Sequence, residues 1–220
     1  MKLTLAILLF VPLMTVFAAD KEVDQVQCER VMQNLSRIRD TNLILDCAEF
    51  YWHNGQFDSP PASYSNIIKL NYRYVELDPY TIDEYTTISW LLYSQWVSYY
   101  KNPDQCSYGK DKDKESITVL VNGRRYHKTD ADYHLAAGNQ AYALANYYQP
   151  QYFGFVIESF ELADRYAKVK ETKVRARLNL GHTWRHLADK EKARFWYMAV
   201  LEIDPENKIA KRSLETLDNP

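Results

Sequence analysis

Two histidines, His182 and His186, have the spacing that most directly suggests chemistry, because side chains four residues apart share one face of a helix. Such a pair can bind zinc, and in metalloproteases a glutamate directly after the first histidine acts as the general base. Thr183 occupies that position here, and no nearby cysteine or carboxylate motif supplies a third ligand. The sequence therefore predicts no metal site and no cofactor.

Other catalytic patterns are missing from the sequence. It contains no nucleophile elbow, phosphate-binding loop, cysteine–histidine signature or pair of catalytic carboxylates, and its six glycines leave little material for phosphate loops. Asp111, Asp113 and Glu115 alternate with lysines, but a calcium loop would need more acidic ligands and its turn glycine. We interpret residues 101–114 as a solvated loop and predict that the protein is not an enzyme.

Two features depend on the compartment in which the protein folds. The three cysteines, Cys28, Cys47 and Cys106, are an odd number, so at least one thiol stays outside any intramolecular disulfide. The apolar residues around Cys28 and Cys47 fit two alternatives equally well. The two cysteines could form a disulfide, or both could be buried free thiols. A glycosylation sequon begins at Asn34, but it falls in a predicted helix and would matter only in a eukaryotic host.

The first 19 residues are typical of a secretory signal peptide. Lys2 is followed by an almost uninterrupted apolar stretch at 3–17, and Ala18 and Ala19 are small residues suited to cleavage. The alternative, an uncleaved membrane anchor, is disfavoured because a spanning helix needs roughly 20 apolar residues. No second apolar run follows. We expect a periplasmic or extracellular protein with no membrane span after cleavage.

The composition excludes one class of partner and favours one class of fold. The formal net charge of −2 offers no basic surface for nucleic acid. The chain has 18 tyrosines and 5 tryptophans against 6 glycines, and strand signals are weak. A helical protein can use many such rings, with the ring packed and its polar atom at the solvent edge.

Helical periodicity is strongest near the C-terminus. Residues 174–187 form one predicted helix, a second ends before Pro205, and 206–217 form a short amphipathic helix. The residues 193–205 align without a gap with 67–79, and both segments end in Glu, Leu or Ile, Asp and Pro. The chain therefore contains an internal repeat.

The repeat resembles the tetratricopeptide family. The resemblance lies in a large residue, a small one, an aromatic, alanine, an aromatic and proline at the family's spacing, here Leu180, Gly181, Trp184, Ala193, Tyr197 and Pro205. It implies an all-α, right-handed solenoid of about four antiparallel helix pairs. It also implies that Gly181 and Ala193 allow close helix approach while Trp184 and Tyr197 fill the space between helices.

The predicted organisation follows from this repeat. An N-terminal helix at 20–40 precedes a repeat domain at 41–220, and 206–217 cap its last pair. The four predicted pairs are 41–79, 82–128, 131–171 and 174–206. Residues 115–126 could instead form a β-hairpin around Asn122-Gly123, but the residues after this turn lack the alternating pattern that a second strand needs. We favour the helix.

The resemblance implies a concave groove along the first helix of each pair. In the family that groove holds a peptide or a helix of a partner protein. The repeat register assigns to it Trp52, Trp90, Tyr93, Asn139, Tyr142, Arg175, Asn179, His182, Arg185 and His186, together with Glu49, His53, Asp83 and Ser94. For Trp52 and Trp90, a place in the packed core is as good an interpretation as a place in the groove.

These residues predict the chemistry of the ligand. The groove would have a basic end, an aromatic middle and a more acidic start, which suits an extended segment with acidic side chains or a terminal carboxylate. Some family members hold a terminal carboxylate with a clamp that Asn139 and Asn179 match in part, but Leu135 replaces its first lysine. We expect an exported adaptor that binds a protein or peptide; the alternatives are a sugar- or lipid-binding protein or enzyme, and a structural homo-oligomer.

Overall fold

The computed structural model describes residues 23–55 and 63–218, and this part of the chain is helical with no strand. The predicted signal peptide at 1–19 lies outside the described residues. Ten α-helices follow one another, and the prediction of an all-α fold is confirmed. They are α1 Gln25–Gln33, α2 Thr41–His53, α3 Ser65–Leu77, α4 Asp83–Lys101, α5 Lys112–Gly123, α6 Ala131–Tyr147, α7 Phe153–Tyr166, α8 Lys170–His186, α9 Lys190–Ile203 and α10 Lys208–Asp218.

Aspartates fix the start of several helices. The Asp40 carboxylate accepts the backbone N–H groups of Asn42 and Leu43 at 3.0 and 3.2 Å, at the start of α2. Asp130 does the same at the start of α6, where its carboxylate accepts the N–H groups of Asp132 and Tyr133. A capping side chain is worth about 1 kcal/mol because it satisfies N–H groups that have no partner within the helix.

Helices that follow each other in the chain pack together. The most extensive contacts join α2 to α3, α4 to α5, α6 to α7 and α8 to α9. Further contacts join α3 to α4 and α7 to α8, whereas α5 and α6 contact each other at few positions. In addition α4 contacts α6, α6 contacts α8, and α10 packs on α9. The predicted ranges 41–79, 82–128, 131–171 and 174–206 each contain one of the four most extensive contacts.

Two glycines allow aromatic rings to approach a helix backbone. A Cβ atom at Gly181 in α8 would overlap the ring of Tyr197 in α9, which is fully buried. A Cβ atom at Gly138 in α6 would overlap the ring of Phe160 in α7 in the same way. The expected close approach of α9 to α8 at Gly181 is therefore present. Helices α6 and α7 approach each other in the same way at Gly138.

The segment before α5 differs from the prediction of a solvated loop at 101–114. Lys101 ends α4, and α5 already begins at Lys112. Gly109 is buried against the backbone of Gln95, and the buried Asp113 carboxylate accepts the Tyr152 hydroxyl at 3.0 Å. The prediction is wrong at these positions because contacts with distant residues hold a polar segment against the core. Residues 115–126 contain most of α5 and no hairpin.

A disulfide ties the N-terminal helix α1 to the neighbouring helix α2. A disulfide links Cys28 in α1 to Cys47 in α2, with their Cα atoms 5.3 Å apart, and both residues are fully buried. Cys106 is a free, partly buried thiol. Among the described residues, no helix has the length and apolar character needed to cross a membrane.

Candidate functional site

Helices α6 and α8 are joined by two polar side-chain contacts. The Asn179 amide donates to the Asn139 side-chain oxygen at 2.7 Å, and the Thr172 hydroxyl donates to the Asp132 carboxylate at 3.0 Å. Each contact joins residues 40 apart in the chain. The same spacing at both contacts means that the two helices run side by side over at least two turns, with Asn139 and Asn179 on a shared edge.

The last turn of α8 carries two basic residue types, Arg185 and His186. Arg185 and His186 are exposed, and the His186 ring lies 5.2 Å from the ring of Phe153 and 6.5 Å from that of Tyr142. Burial raises the pKa of the Tyr142 phenol, while the nearby Arg185 opposes that rise. Within the described chain, Arg185 makes no hydrogen bond or ion pair, so its guanidinium is available to a ligand. Arg175 is likewise exposed at the other end of α8.

His182 has a different environment from its neighbour His186. Its Nδ1 atom lies 2.7 Å from the Tyr197 hydroxyl in α9. Burial, with a contribution from Arg185, lowers the pKa of His182 to about 4, so the ring is neutral at pH 7. The two histidines therefore contact different helices. Over residues 23–55 and 63–218, no group of three histidine, cysteine or acidic side chains could hold a metal ion.

Trp52 and Trp90 belong to a separate cluster, which includes Tyr64. The ring centroids of Trp52 and Trp90 are 5.7 Å apart, and Tyr64 lies 6.1 Å from Trp52 and 6.3 Å from Trp90. Trp52 remains 39% exposed, whereas Trp90 is half-buried. Trp90 thus packs, and Trp52 presents an accessible ring. In the same turn of α2 as Trp52, the exposed side chains of Glu49 and His53 meet, with Oε1 of Glu49 2.7 Å from Nε2 of His53.

A second aromatic cluster lies where α4 and α6 end. It consists of Tyr93, Trp96, Tyr100, Tyr147 and Tyr148, which we call the five-ring cluster. Tyr100 and Tyr147 are 62% and 60% exposed. Burial raises the pKa of Tyr93 to about 12, and the neighbouring phenols of Tyr148 and Tyr147 add to the rise. Of these five residues, the sequence assigned only Tyr93 to a binding surface. The others come together through contact between α4 and the end of α6.

Two buried histidines were not predicted from the sequence. His127 stacks on Tyr133 with centroids 4.4 Å apart, and its two ring nitrogens lie 3.1 Å from the Thr81 carbonyl and from the Asp130 carboxylate. His134 donates from Nε2 to the Lys128 carbonyl, and burial lowers its pKa. Both side chains hold turns in place and lie below the surface.

Comparison with known proteins adds no family assignment. No protein-family profile matches the chain, and no curated protein matches it at a significant level. The interpretation of the site therefore depends on the residues and contacts described above.

Proposed function

We propose that the helices form a tetratricopeptide-like right-handed solenoid of four antiparallel pairs, preceded by α1 and capped by α10. Three features support this arrangement. Each predicted pair contains one extensive helix–helix contact, and α4 contacts α6 as α6 contacts α8. The contacts at 40-residue spacing align α6 with α8. Gly138 and Gly181 accept rings in the same way, as equivalent positions of a repeat would.

On this arrangement the protein is an exported binding protein that holds an extended peptide segment across α6 and α8. One observation carries this proposal: Arg185 is exposed and makes no hydrogen bond or ion pair among the described residues, and its charge acts on Tyr142, whose ring lies near His186. The Asn139–Asn179 pair lies on the same two helices. Side-chain amides can bond to a peptide backbone, the Tyr142 and His186 rings can pack on a side chain, and a guanidinium can bind a carboxylate with two parallel hydrogen bonds.

The ligand therefore carries a carboxylate, from an acidic side chain or from a C-terminus. Asp132 is the only carboxylate in α6, and it already accepts a hydrogen bond from Thr172. An acidic group near Arg185 would replace water around an unpaired cation, and a charge-assisted hydrogen bond of this kind is worth about 1.5–3 kcal/mol.

Peptide binding can be measured directly. We would screen short peptides by fluorescence anisotropy, each made with a free C-terminal carboxylate and as the C-terminal amide, with acidic residues intact or replaced by their amides. We expect the binding peptides to lose affinity when the carboxylate is neutralised. Arg185→Ala should weaken binding about tenfold or more, the equivalent of about 1.4 kcal/mol.

Arg212→Ala is the matched control, since Arg212 is an exposed arginine of α10 that makes no ion pair with described residues. It should leave affinity unchanged, whereas Asn179→Ala should weaken binding by removing one amide of the α6–α8 edge. Equal affinities for wild type and Arg185→Ala, or for acidic peptides and their amides, would reject the proposed surface.

A second candidate ligand is a neutral sugar or a lipid at the five-ring cluster. The exposed rings of Tyr100 and Tyr147 favour it, because aromatic faces that lie open to solvent often mark binding sites. A thermal-shift screen with neutral oligosaccharides and lipids tests this candidate. A stabilising compound should lose its effect in Tyr100→Ala but not in Arg185→Ala.

A further inference from the structure

The sequence has one N-glycosylation sequon in its 220 residues, Asn34-Leu35-Ser36. A sequon of this kind acts as an acceptor in secreted proteins when its asparagine lies at the surface. Periodicity alone places Asn34 inside a helix at 20–40. The position that the structure gives it is different.

Asn34 lies between two helices. It follows the last residue of α1 with φ −118° and ψ 18°, and the next three residues form a short 3₁₀ turn. Both Asn34 and Ser36 are exposed. The Asn34 amide donates to the Arg30 carbonyl at 3.0 Å, a contact within its own turn. A sugar on the Asn34 nitrogen would therefore extend into solvent without displacing any helix–helix contact.

The neighbouring disulfide supports passage through an oxidising compartment. Cys28, six residues before Asn34, is bonded to Cys47, and disulfides of this kind persist mainly in exported proteins. This observation is independent of the sequon and agrees with the apolar leader at 3–17.

We propose that Asn34 is an N-glycosylation acceptor during export through a eukaryotic secretory pathway; this rests on the export component of the proposed function. The co-reactant is an oligosaccharide linked to a lipid pyrophosphate. A bond forms between Asn34 Nδ2 and C1 of the first sugar, and the bond from C1 to the pyrophosphate oxygen breaks. The amide nitrogen loses one proton, and the lipid pyrophosphate leaves. Since the main contact of α1 is with α2, we expect the glycan to leave the candidate peptide surface on α6 and α8 free.

The test is expression of the full chain in a eukaryotic secretory cell line, with its own leader and, in parallel, with an established leader replacing residues 1–19. We expect the secreted protein to migrate faster after treatment with peptide N-glycosidase. Asn34→Gln and Ser36→Ala should abolish this shift, whereas Ser36→Thr should keep it. Asn42→Gln, which alters an exposed asparagine outside any sequon, should also keep it.

Each outcome decides between parts of the proposal. Secreted wild-type protein that carries the Cys28–Cys47 disulfide but no glycan overturns the acceptor role of Asn34. A glycan that appears only with the replacement leader supports the acceptor position and overturns export by the chain's own leader. Peptide binding by Asn34→Gln, measured by anisotropy as above, separates the proposal from the function of α6 and α8, since we expect unchanged affinity.

Discussion

Single atoms decide how closely α8 and α9 can pack. The Tyr197 ring is fully buried against Gly181, and its hydroxyl lies within hydrogen-bond distance of His182. A methyl group at position 181 would have to displace a fully buried ring whose hydroxyl is hydrogen-bonded. Packed interiors accommodate such an addition poorly because neighbouring atoms already fill the space.

Gly181→Ala should lower the free energy of unfolding by about 2 kcal/mol, because the overlap with Tyr197 outweighs the gain in helix propensity. Gly154→Ala is the matched control. No atom lies within 4 Å of a Cβ at Gly154 in α7, so this variant should be neutral or more stable by about 0.5 kcal/mol. Urea unfolding followed by circular dichroism measures both; equal stabilities would contradict the close contact.

His182 makes stability depend on pH in a defined direction. Its pKa is lowered to about 4 in the folded protein, whereas an unfolded histidine titrates near 6.5. Between these values the unfolded state binds more protons, so stability falls as the pH is lowered. Between pH 7.5 and pH 4.5 we expect the wild type to lose about 2.5 kcal/mol more stability than His182→Gln. Parallel pH profiles of wild type and variant would contradict this role.

Several residues that the sequence assigned to one face contact each other in the structure, but the other residues they contact were not predicted. Asn139, Asn179, Tyr142 and His186 were assigned to one face, and the structure brings them into two contacts. His182 was assigned to the same face, but its bond to Tyr197 depends on how α8 and α9 meet. No local spacing encodes that contact, just as none links Asp113 to Tyr152.

At the scale of elements, α5 shows how tertiary contacts select one of two local structures. Its Ile117 to Val121 run is rich in β-branched residues, and Asn122-Gly123 is typical of a hairpin turn. The helix forms because Ile117, Val119 and Leu120 are buried, and because Gly123 packs against the hydroxyl end of the Tyr133 side chain. The Tyr133 hydroxyl donates to the Leu120 carbonyl at 2.6 Å. A β-strand would place Leu120 on the face opposite to Ile117 and Val119.

Arg124 then holds the end of α5 on α7. Its guanidinium donates to Glu158 at 2.6 Å and to Ser159, and lies 4.0 Å from the centre of the Phe155 ring. Arg124→Gln should lower the free energy of unfolding by about 2 kcal/mol, because it removes hydrogen bonds of a charged group and a cation–π contact. Arg125→Gln, an exposed neighbour, should change it by less than about 0.5 kcal/mol. Similar losses in both variants would argue against this link.

For the whole molecule, the buried side chains form two groups. The larger runs from Cys28 in α1 to Leu180 in α8, and the smaller unites α8, α9 and α10 through residues such as Tyr197, Val200 and Leu217. Because α8 contributes to both, the two groups are continuous along the chain. If the helices form the proposed solenoid, stability comes mainly from contacts between neighbouring helices, so we expect a local change to act locally.

The disulfide provides a test of this property. It closes a segment with a sequence separation of 19 between Cys28 and Cys47, and a bridge over a loop of this length contributes about 3 kcal/mol. Replacing both cysteines by alanine should therefore increase hydrogen exchange in α1 and α2, because α1 loses its disulfide bond to α2. Exchange in α8, α9 and α10 should stay unchanged. Cys106→Ala is the control and should alter neither region; an equal increase along the whole chain would show that the helices unfold as one unit.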